Sequence, residues 1–351
     1  MRIDLIHFYV PDADWMRDWL SQRLGLSYLE DRSSHHTITH LVGNAHLSIA
    51  ISSPLDDTSP VADFLQLHSA GVKDIAFRVE SLGEMRRNIR QMGIEVLEDA
   101  PDWVRIKGWG SIDHTIIQDD GRSLRQTSDD RPILGIDHLV LNVATNELAT
   151  ATSWYEQLFG FQVQQTFEIT TDRSGLASQA LTSLDGKIKF NINQPTSPNS
   201  QIQEFLDFNR GAGIQHIALE TNSILETVKG LQQQGLVFLP VPATYYRQLK
   251  LRASREEISV ISDAEWTALE QLQILVDWNP DRPNALLMQT FTQPIFAEPT
   301  FFFEIIERRN LAQGFGQGNF QALFEAIEQN NSQFYPGKPR QPADIGVVDA
   351  P

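Results

Sequence analysis

Hydrophobic and polar positions recur along this chain in a fixed order. Three stretches each place a glycine and an aliphatic residue ahead of two polar positions and an apolar run: Gly71-Val72-Lys73-Asp74-Ile75-Ala76-Phe77, Gly135-Ile136-Asp137-His138-Leu139-Val140-Leu141 and Gly213-Ile214-Gln215-His216-Ile217-Ala218-Leu219. Such a run reads as a strand entering a core. Ile3-Asp4-Leu5-Ile6-His7-Phe8 is a fourth member without the leading glycine. A helical segment is predicted after each, over Asp12–Arg23, Leu82–Met92, Glu147–Phe159 and Ile224–Gln234, followed by Gly25, Gly93, Gly160 and Gly235. Counted from Leu5, Asp74, His138 and His216, these glycines stand 20, 19, 22 and 19 residues on. A glycine just past an amphipathic helix supplies a left-handed cap. Trp154, Tyr155, Leu158 and Phe159 give the third helix a core-facing stripe.

The repeat predicts an α+β chain of β-α-β units with extra strands after each helix. The units pair as two domains, residues 1–130 and 131–334, with the boundary in the polar stretch Gln126-Thr127-Ser128-Asp129-Asp130-Arg131-Pro132. An insertion of about Pro240 to Trp278 interrupts the second half and has no counterpart in the first. Residues 335–351 carry Pro336, Pro339, Pro342 and Pro351 and read as an exposed tail.

Composition narrows the chemistry. The 351 residues are 41% apolar and 21% charged, an ordinary globular balance, and a chain of this length can bury roughly 75% of its extended surface without a structural metal. The chain has no cysteine. That excludes disulfides, thiolate zinc sites, iron–sulfur clusters and cysteine nucleophiles, and a reducing cytoplasm is the expected home. A net charge of −17 argues against nucleic acid and anionic membrane surfaces as partners. No apolar run approaches the roughly 18 residues of a membrane helix. Met1 to Val10 reads as a strand, and no targeting segment is expected.

His138 and His216 occupy the same position in successive units, so a local twofold axis would bring them face to face. A third ligand is available in Thr300-Phe301-Phe302-Phe303-Glu304-Ile305-Ile306-Glu307, where a carboxylate inside so apolar a strand is costly unless paired or metal-bound. Two histidines and one carboxylate with three positions open form the facial triad of non-haem Fe(II) oxygenases. The competing reading is that a strand histidine beside an aspartate is a hydrogen-bonded core residue; the repeat symmetry favours ligation. The first-half counterparts are Leu5 and Asp74, so that half reads as a structural copy. Glu307, three residues from Glu304, is expected on the opposite, solvent side with Arg308 or Arg309. By the same alternation Gln215 is expected to point away from the metal. The tract His35-His36-Thr37-Ile38-Thr39-His40 reads as a solvated loop or strand edge.

Around the triad, Asn193, Gln201, Gln215 and Gln289 supply neutral amides, and Phe291, Phe315 and Phe320 supply aromatic rings. Together they suit a small aromatic ligand with a polar substituent, although exposed amides are also common without a function. Gly314-Phe315-Gly316-Gln317-Gly318-Asn319-Phe320 reads as a hinge into a helix over Gln321–Gln329. The apolar stripe Phe320, Leu323, Phe324 and Ile327 would lay that helix over the pocket as a lid.

These motifs, with Gly211-Ala212-Gly213 ahead of Ile214, Pro242-Ala243-Thr244-Tyr245-Tyr246 and Phe303-Glu304-Ile305-Ile306-Glu307-Arg308, resemble the 4-hydroxyphenylpyruvate dioxygenase family of the vicinal-oxygen-chelate superfamily. The resemblance is strongest over 131–334 and colinear over the first half. It implies two domains of paired βαβββ modules, the second an open barrel around Fe(II) held by His138, His216 and Glu304. It implies conversion of 4-hydroxyphenylpyruvate and O2 to homogentisate and CO2 by oxidative decarboxylation, ring hydroxylation and side-chain migration. Catalytic roles fall on Gln215, Gln289 and Phe320. Substrate contacts fall on Ser178, Asn193, Gln201, Phe291, Phe315 and Asn319, with Phe291 and Phe320 sandwiching the ring. The chain departs from the family at Glu307, where the common motif has glutamine, and in its proline-rich tail. Three alternatives stay open: a 4-hydroxymandelate synthase, which shares the triad but hydroxylates the benzylic carbon; a metal-free binding module of the same fold; and a zinc isomerase or glyoxalase, which usually takes a further carboxylate ligand. The expected partners are a 2-oxo acid, O2 and a second copy of the chain through the first half. The product would serve either tyrosine breakdown or quinone and tocopherol synthesis.

Overall fold

Four βαβββ units follow one another among the residues described by a computed structural model, 1–121, 132–170, 174–316 and 318–319. The first unit is β1 (Arg2–Tyr9), α1 (Ala13–Arg23), β2 (Ser27–Asp31), β3 (Thr37–Gly43) and β4 (Ser48–Pro54). A connecting helix α2 (Pro60–Leu67) leads to β5 (Gly71–Val79), α3 (Leu82–Met92), β6 (Val96–Asp99), β7 (Trp103–Lys107) and β8 (Asp113–Gln118). The third unit is β9 (Gly135–Asn142), α4 (Leu148–Phe159), β10 (Gln162–Thr170), β11 (Gly175–Thr182) and β12 (Lys189–Pro195), followed by the connector α5 (Gln201–Asn209). In the fourth, β13 (Gly213–Glu220) and α6 (Ile224–Gln233) precede two inserted helices, α7 (Ala243–Arg255) and α8 (Asp263–Gln271), and then β14 (Leu275–Asn279), β15 (Arg282–Phe291) and β16 (Phe302–Arg308).

The periodicity places the four repeated helices to within a residue at either end. Asp12 and Ser81 cap α1 and α3 through their side chains, and the glycines after all four helices stand at positive φ, 68°, 64°, 70° and 81°. The insertion, by contrast, is shorter than its sequence suggests: Leu275–Asn279 is β14, the counterpart of β6. The stretch proposed as a domain boundary lies largely outside the described residues. So do Phe320, the proposed lid helix Gln321–Gln329 and the tail 335–351.

The strands form two eight-stranded sheets of identical order, β2-β3-β4-β1-β5-β8-β7-β6 and β10-β11-β12-β9-β13-β16-β15-β14. In each, the two central strands run antiparallel and each pairs in parallel with the last strand of its own unit. This is the paired-module α+β architecture expected from the repeat, and the second sheet curls into an open half-barrel. Alternation sorts the side chains: on β12, Phe190 and Ile192 enter the main apolar core, while Lys189, Asn191 and Asn193 share the opposite, concave face. One core spans both halves, joined by ring pairs such as Phe8 with Phe301 at 5.0 Å and Phe77 with Phe159 at 4.9 Å. Of the histidines in the 35–40 tract, His35 is exposed as a solvated edge expects, His36 is half-buried, and His40 is buried and meets Asp14 on α1 at 3.0 Å.

At the seam, His114 of β8 is buried with its Nε2 3.0 Å from the Tyr155 hydroxyl of α4. Burial lowers the His114 pKa from 6.5 to about 3. Between those values the unfolded chain binds a proton that the folded state refuses. Stability is therefore full above pH 6.5 and falls as the pH drops through it, by up to about 1.4 kcal/mol per pH unit for this group. Urea unfolding as a function of pH should show this decline, and His114→Gln should reduce the slope by that amount; an unchanged slope would show that His114 does not carry it.

Candidate metal centre

Strand pairing alone brings three distant residues together. Ala218 on β13 lies opposite His138 on β9 and beside Glu304 on β16, and His216 stands two residues before Ala218 on the same face. The methyl side chain of Ala218 leaves the space above it to the three longer side chains. His138 Nε2 lies 3.3 Å and His216 Nε2 3.5 Å from Glu304 Oε2, and the imidazole centroids are 5.9 Å apart at 76°. All three residues are buried, and their ligand atoms fall within 4.8 Å of one another. Two imidazole nitrogens and a carboxylate oxygen at these separations fit a single divalent cation, with positions left for further ligands.

Each histidine is aimed by a bulge beside it. Across β9 and β13, Ala218 pairs with His138 and Leu219 with Ile136, which leaves Asp137 as the extra residue; Ile214 pairs with Leu141 and His216 with Val140, which leaves Gln215 extra. A bulge re-aims its side chain. Asp137 Oδ1 therefore reaches His138 Nδ1 at 2.8 Å, and Gln215 Oε1 lies 3.4 Å from His216 Nδ1. Strict alternation turned Gln215 away from the centre; the bulge turns it back against the ligand. An ionised carboxylate only accepts hydrogen bonds, so the Asp137 contact places the proton of His138 on Nδ1 and leaves Nε2 for a metal.

Asp137 is itself clamped. Arg308 donates to it twice, Nε to Oδ2 at 2.6 Å and Nη2 to Oδ1 at 2.7 Å, and Lys189 Nζ lies 3.1 Å from Oδ2. Burial resists ionisation of Asp137, but the bonds from Arg308 and His138 hold its pKa well below the ordinary carboxylate range. Burial likewise opposes charge on Glu304, yet the two imidazoles outweigh it and lower its pKa to about 2. His138 is raised, burial being overcome by Glu304 and Asp137, whereas burial lowers His216. The same Arg308 donates through Nη1 to the Gly314 and Ala312 carbonyls at 2.7 and 3.2 Å, which ties the segment before Phe315 to the His138 side of the centre.

A second chain of bonds approaches Glu304 from β15. Gln289 Nε2 donates to Glu304 Oε1 at 2.7 Å; Gln289 Oε1 accepts from Asn319 Nδ2 at 2.9 Å; Asn319 Oδ1 accepts from the Tyr245 hydroxyl at 2.9 Å. Gly316, at φ 72°, lets the backbone pass against Gln289, and a Cβ there would lie 2.0 Å from Gln289 Oε1. The rings close in from several sides: Phe302 stacks on His216 at 4.7 Å, Phe291 meets His216 edge-on at 6.3 Å and Phe315 meets His138 edge-on at 5.6 Å. Farther along the concave face, Ser178 lies opposite Asn193, and Asn193 Nδ2 donates to Asn142 Oδ1 at 3.3 Å. Ser178 Oγ, Asn193 Oδ1 and Gln201 Oε1 are buried without a hydrogen-bond partner in the protein.

Glu307 departs from its expected place in solvent. It is on the opposite face from Glu304 but buried, accepting from the Ile224 amide at the start of α6 at 2.8 Å and from Arg309 Nε at 3.1 Å. An acid at a helix start satisfies an otherwise orphaned N–H. Sequence reading missed the roles of Asp137, Arg308 and Tyr245. The signal for the first was the Asp-His pair itself, while Arg308 and Tyr245 join the site through contacts between distant elements.

The Glyoxalase/Bleomycin resistance protein/Dioxygenase superfamily model matches residues 135–253. A 4-hydroxyphenylpyruvate dioxygenase of Yarrowia lipolytica is 34% identical, over 94% of this chain and 92% of its own. An uncharacterized protein of Synechocystis is 37% identical, over 95% of this chain and 99% of its own. The solved structure of a triple mutant of 4-hydroxymandelate synthase from Streptomyces coelicolor superposes with a TM-score of 0.82 at 23% identity, covering 94% of this chain and 98% of that one.

Loss of the Asp137 carboxylate should loosen metal without removing a ligand. Asp137→Asn is expected to weaken metal affinity by roughly 10–100-fold, read by titrating the metal-free protein with Co(II) and following its absorption; unchanged affinity would contradict the role given to Asp137. Gly316→Ala should displace Gln289 from Glu304, measured as a changed Co(II) spectrum at full occupancy; an identical spectrum would show that Gln289 does not orient the ligand.

Proposed function

Because the chain belongs to the 4-hydroxyphenylpyruvate dioxygenase family and is an enzyme, we propose that it converts 4-hydroxyphenylpyruvate and O2 to homogentisate and CO2 with Fe(II) held by His138, His216 and Glu304. One oxygen atom enters the new carboxylate and the other the ring. The substrate supplies all four electrons, two at the 2-oxo carbon and two at the ring. The observation that carries this reading is the convergence of three buried donors from three strands beneath a wall of rings and neutral amides. When bound, Fe(II) would supply the redox chemistry and a seat for the 2-oxo acid.

The remaining work belongs to side chains. Gln289 occupies Glu304 Oε1 and leaves Oε2 to the metal side. Asp137 and Gln215 hold the outer nitrogens of the two imidazoles. Phe291 and Phe315 shield the reacting carbons from water, and Phe320, outside the described residues, would complete the sandwich with the lid helix. Ser178, Asn193 and Gln201 carry buried polar atoms that lack partners in the protein, and these would take up the substrate phenol without adding charge. Asn319 supports Gln289. On this reading residues 131–334 form the catalytic domain and residues 1–130 a structural copy, with Leu5 and Asp74 where the histidines stand. The enzyme would act in the cytoplasm as a homo-oligomer; among the described residues no helix is long and apolar enough to cross a membrane.

Iron-loaded protein should consume O2 with 4-hydroxyphenylpyruvate and yield homogentisate by NMR. Absence of iron-dependent uptake would overturn the assignment, and 4-hydroxymandelate as product would place the chain with the synthases. Glu304→Ala should lose both iron and turnover while keeping its far-ultraviolet circular dichroism. Asp74→Ala should keep full iron content; iron loss there would show the first half to be more than a structural copy.

A further inference from the structure

One concave-face residue has no part in the mechanism above. Asn191 on β12 is 0% exposed, and neither its amide oxygen nor its nitrogen has a hydrogen-bond partner in the protein. Among the described residues it is the one side chain with two such atoms. A buried amide with neither end bonded is costly, and its lateral neighbours offer no relief: Asn191 lies between Val140 on β9 and Ala180 on β11.

Its place along the strand is informative. Lys189 lies beside His138, at the metal end, and Asn193 lies beside Asn142, at the amide-rich end. Asn191 is midway between them on the same face. Same-face residues on a strand are about 6.6 Å apart, twice the rise per residue, somewhat more than the span between two oxygens para to each other on a benzene ring, a difference that two amide side chains can take up. The proposed reaction creates that pattern. The phenol oxygen of the substrate is already present, and the new hydroxyl enters the ring carbon para to it, nearer the metal.

We propose that Asn191 hydrogen-bonds the hydroxyl added to the ring, so that Asn193 and Asn191 together recognise a para-dihydroxyaryl acetate. This rests on the proposed function and extends it to a residue that selects the ring-hydroxylated outcome. The metal triad and the contacts at the phenol end are common to any 4-hydroxyaryl ligand; Asn191 is placed to distinguish a ring bearing the second oxygen from one lacking it.

The test is calorimetric, on the full chain loaded with Fe(II) and kept free of O2. 2,5-Dihydroxyphenylacetate should bind about tenfold or more tighter than 4-hydroxyphenylacetate. Asn191→Leu should abolish that difference while leaving 4-hydroxyphenylacetate affinity unchanged, and Asn191→Ser, which keeps a hydroxyl, should recover part of it. No difference in the unaltered protein, a difference that survives in Asn191→Leu, or equal weakening of both ligands would overturn the proposal. If Asn191→Leu fails to fold, Asn191→Ser decides: a preference undiminished by the shorter side chain overturns the role of Asn191, and a reduced one supports it. O2 uptake by the unaltered protein with 4-hydroxyphenylpyruvate separates the two claims. Intact uptake with failed selectivity removes only Asn191's role, whereas absent uptake removes the reaction.

Discussion

An ionised carboxylate at 1% exposure, facing two imidazole nitrogens, is the constraint on which the rest of this molecule depends. Taking such a charge out of water costs several kcal/mol unless positive charge and hydrogen bonds replace the solvent. For Glu304 the replacements are the two histidines at Oε2 and the Gln289 amide at Oε1. The histidines are held in turn. Bulges at Asp137 and Gln215 set a hydrogen-bonding group at each outer nitrogen, and Arg308 and Lys189 balance the charge of Asp137. Outward from Glu304, the chain of contacts thus runs through the imidazoles to Asp137 and on to the two cations.

The supports of the site come from well beyond the central strands. Tyr245 belongs to the inserted helix α7, Asn319 to the segment after β16, and both reach Glu304 through Gln289. Arg308 grips Asp137 and the carbonyls ahead of Phe315 with the same guanidinium. One side chain thus joins the 312–316 segment to the carboxylate that holds His138. The first half contributes by packing: its sheet shares a continuous core with the second, so the sheet that carries His138, His216 and Glu304 rests against one of the same strand order but with different residues at those positions.

Much of this was legible because the repeat is written in two independent signals, the apolar run and the capping glycine. Both follow from local physics, and the four helices appear where they were expected. The convergence of the three side chains was legible for a related reason. His138 and His216 share a repeat position, and Glu304 interrupts an apolar strand, an arrangement that has to be compensated. Gln215 and Glu307 show the limit of such reading. A two-residue period assumes a regular ladder, so it cannot register the bulge that turns Gln215 inward. A solvent-side assignment takes no account of a helix packed on that face, and the start of α6 buries Glu307. The bonds among Arg308, Asp137, Gly314 and Tyr245 join elements far apart in the chain, and no local pattern encodes them.

Anomalous diffraction at the iron edge, from crystals grown with Fe(II) in the absence of O2, tests the triad most directly. A single peak within bonding distance of His138 Nε2, His216 Nε2 and a Glu304 oxygen is the predicted result. A peak bonded to other side chains, or none with the three groups still in mutual contact, would contradict it.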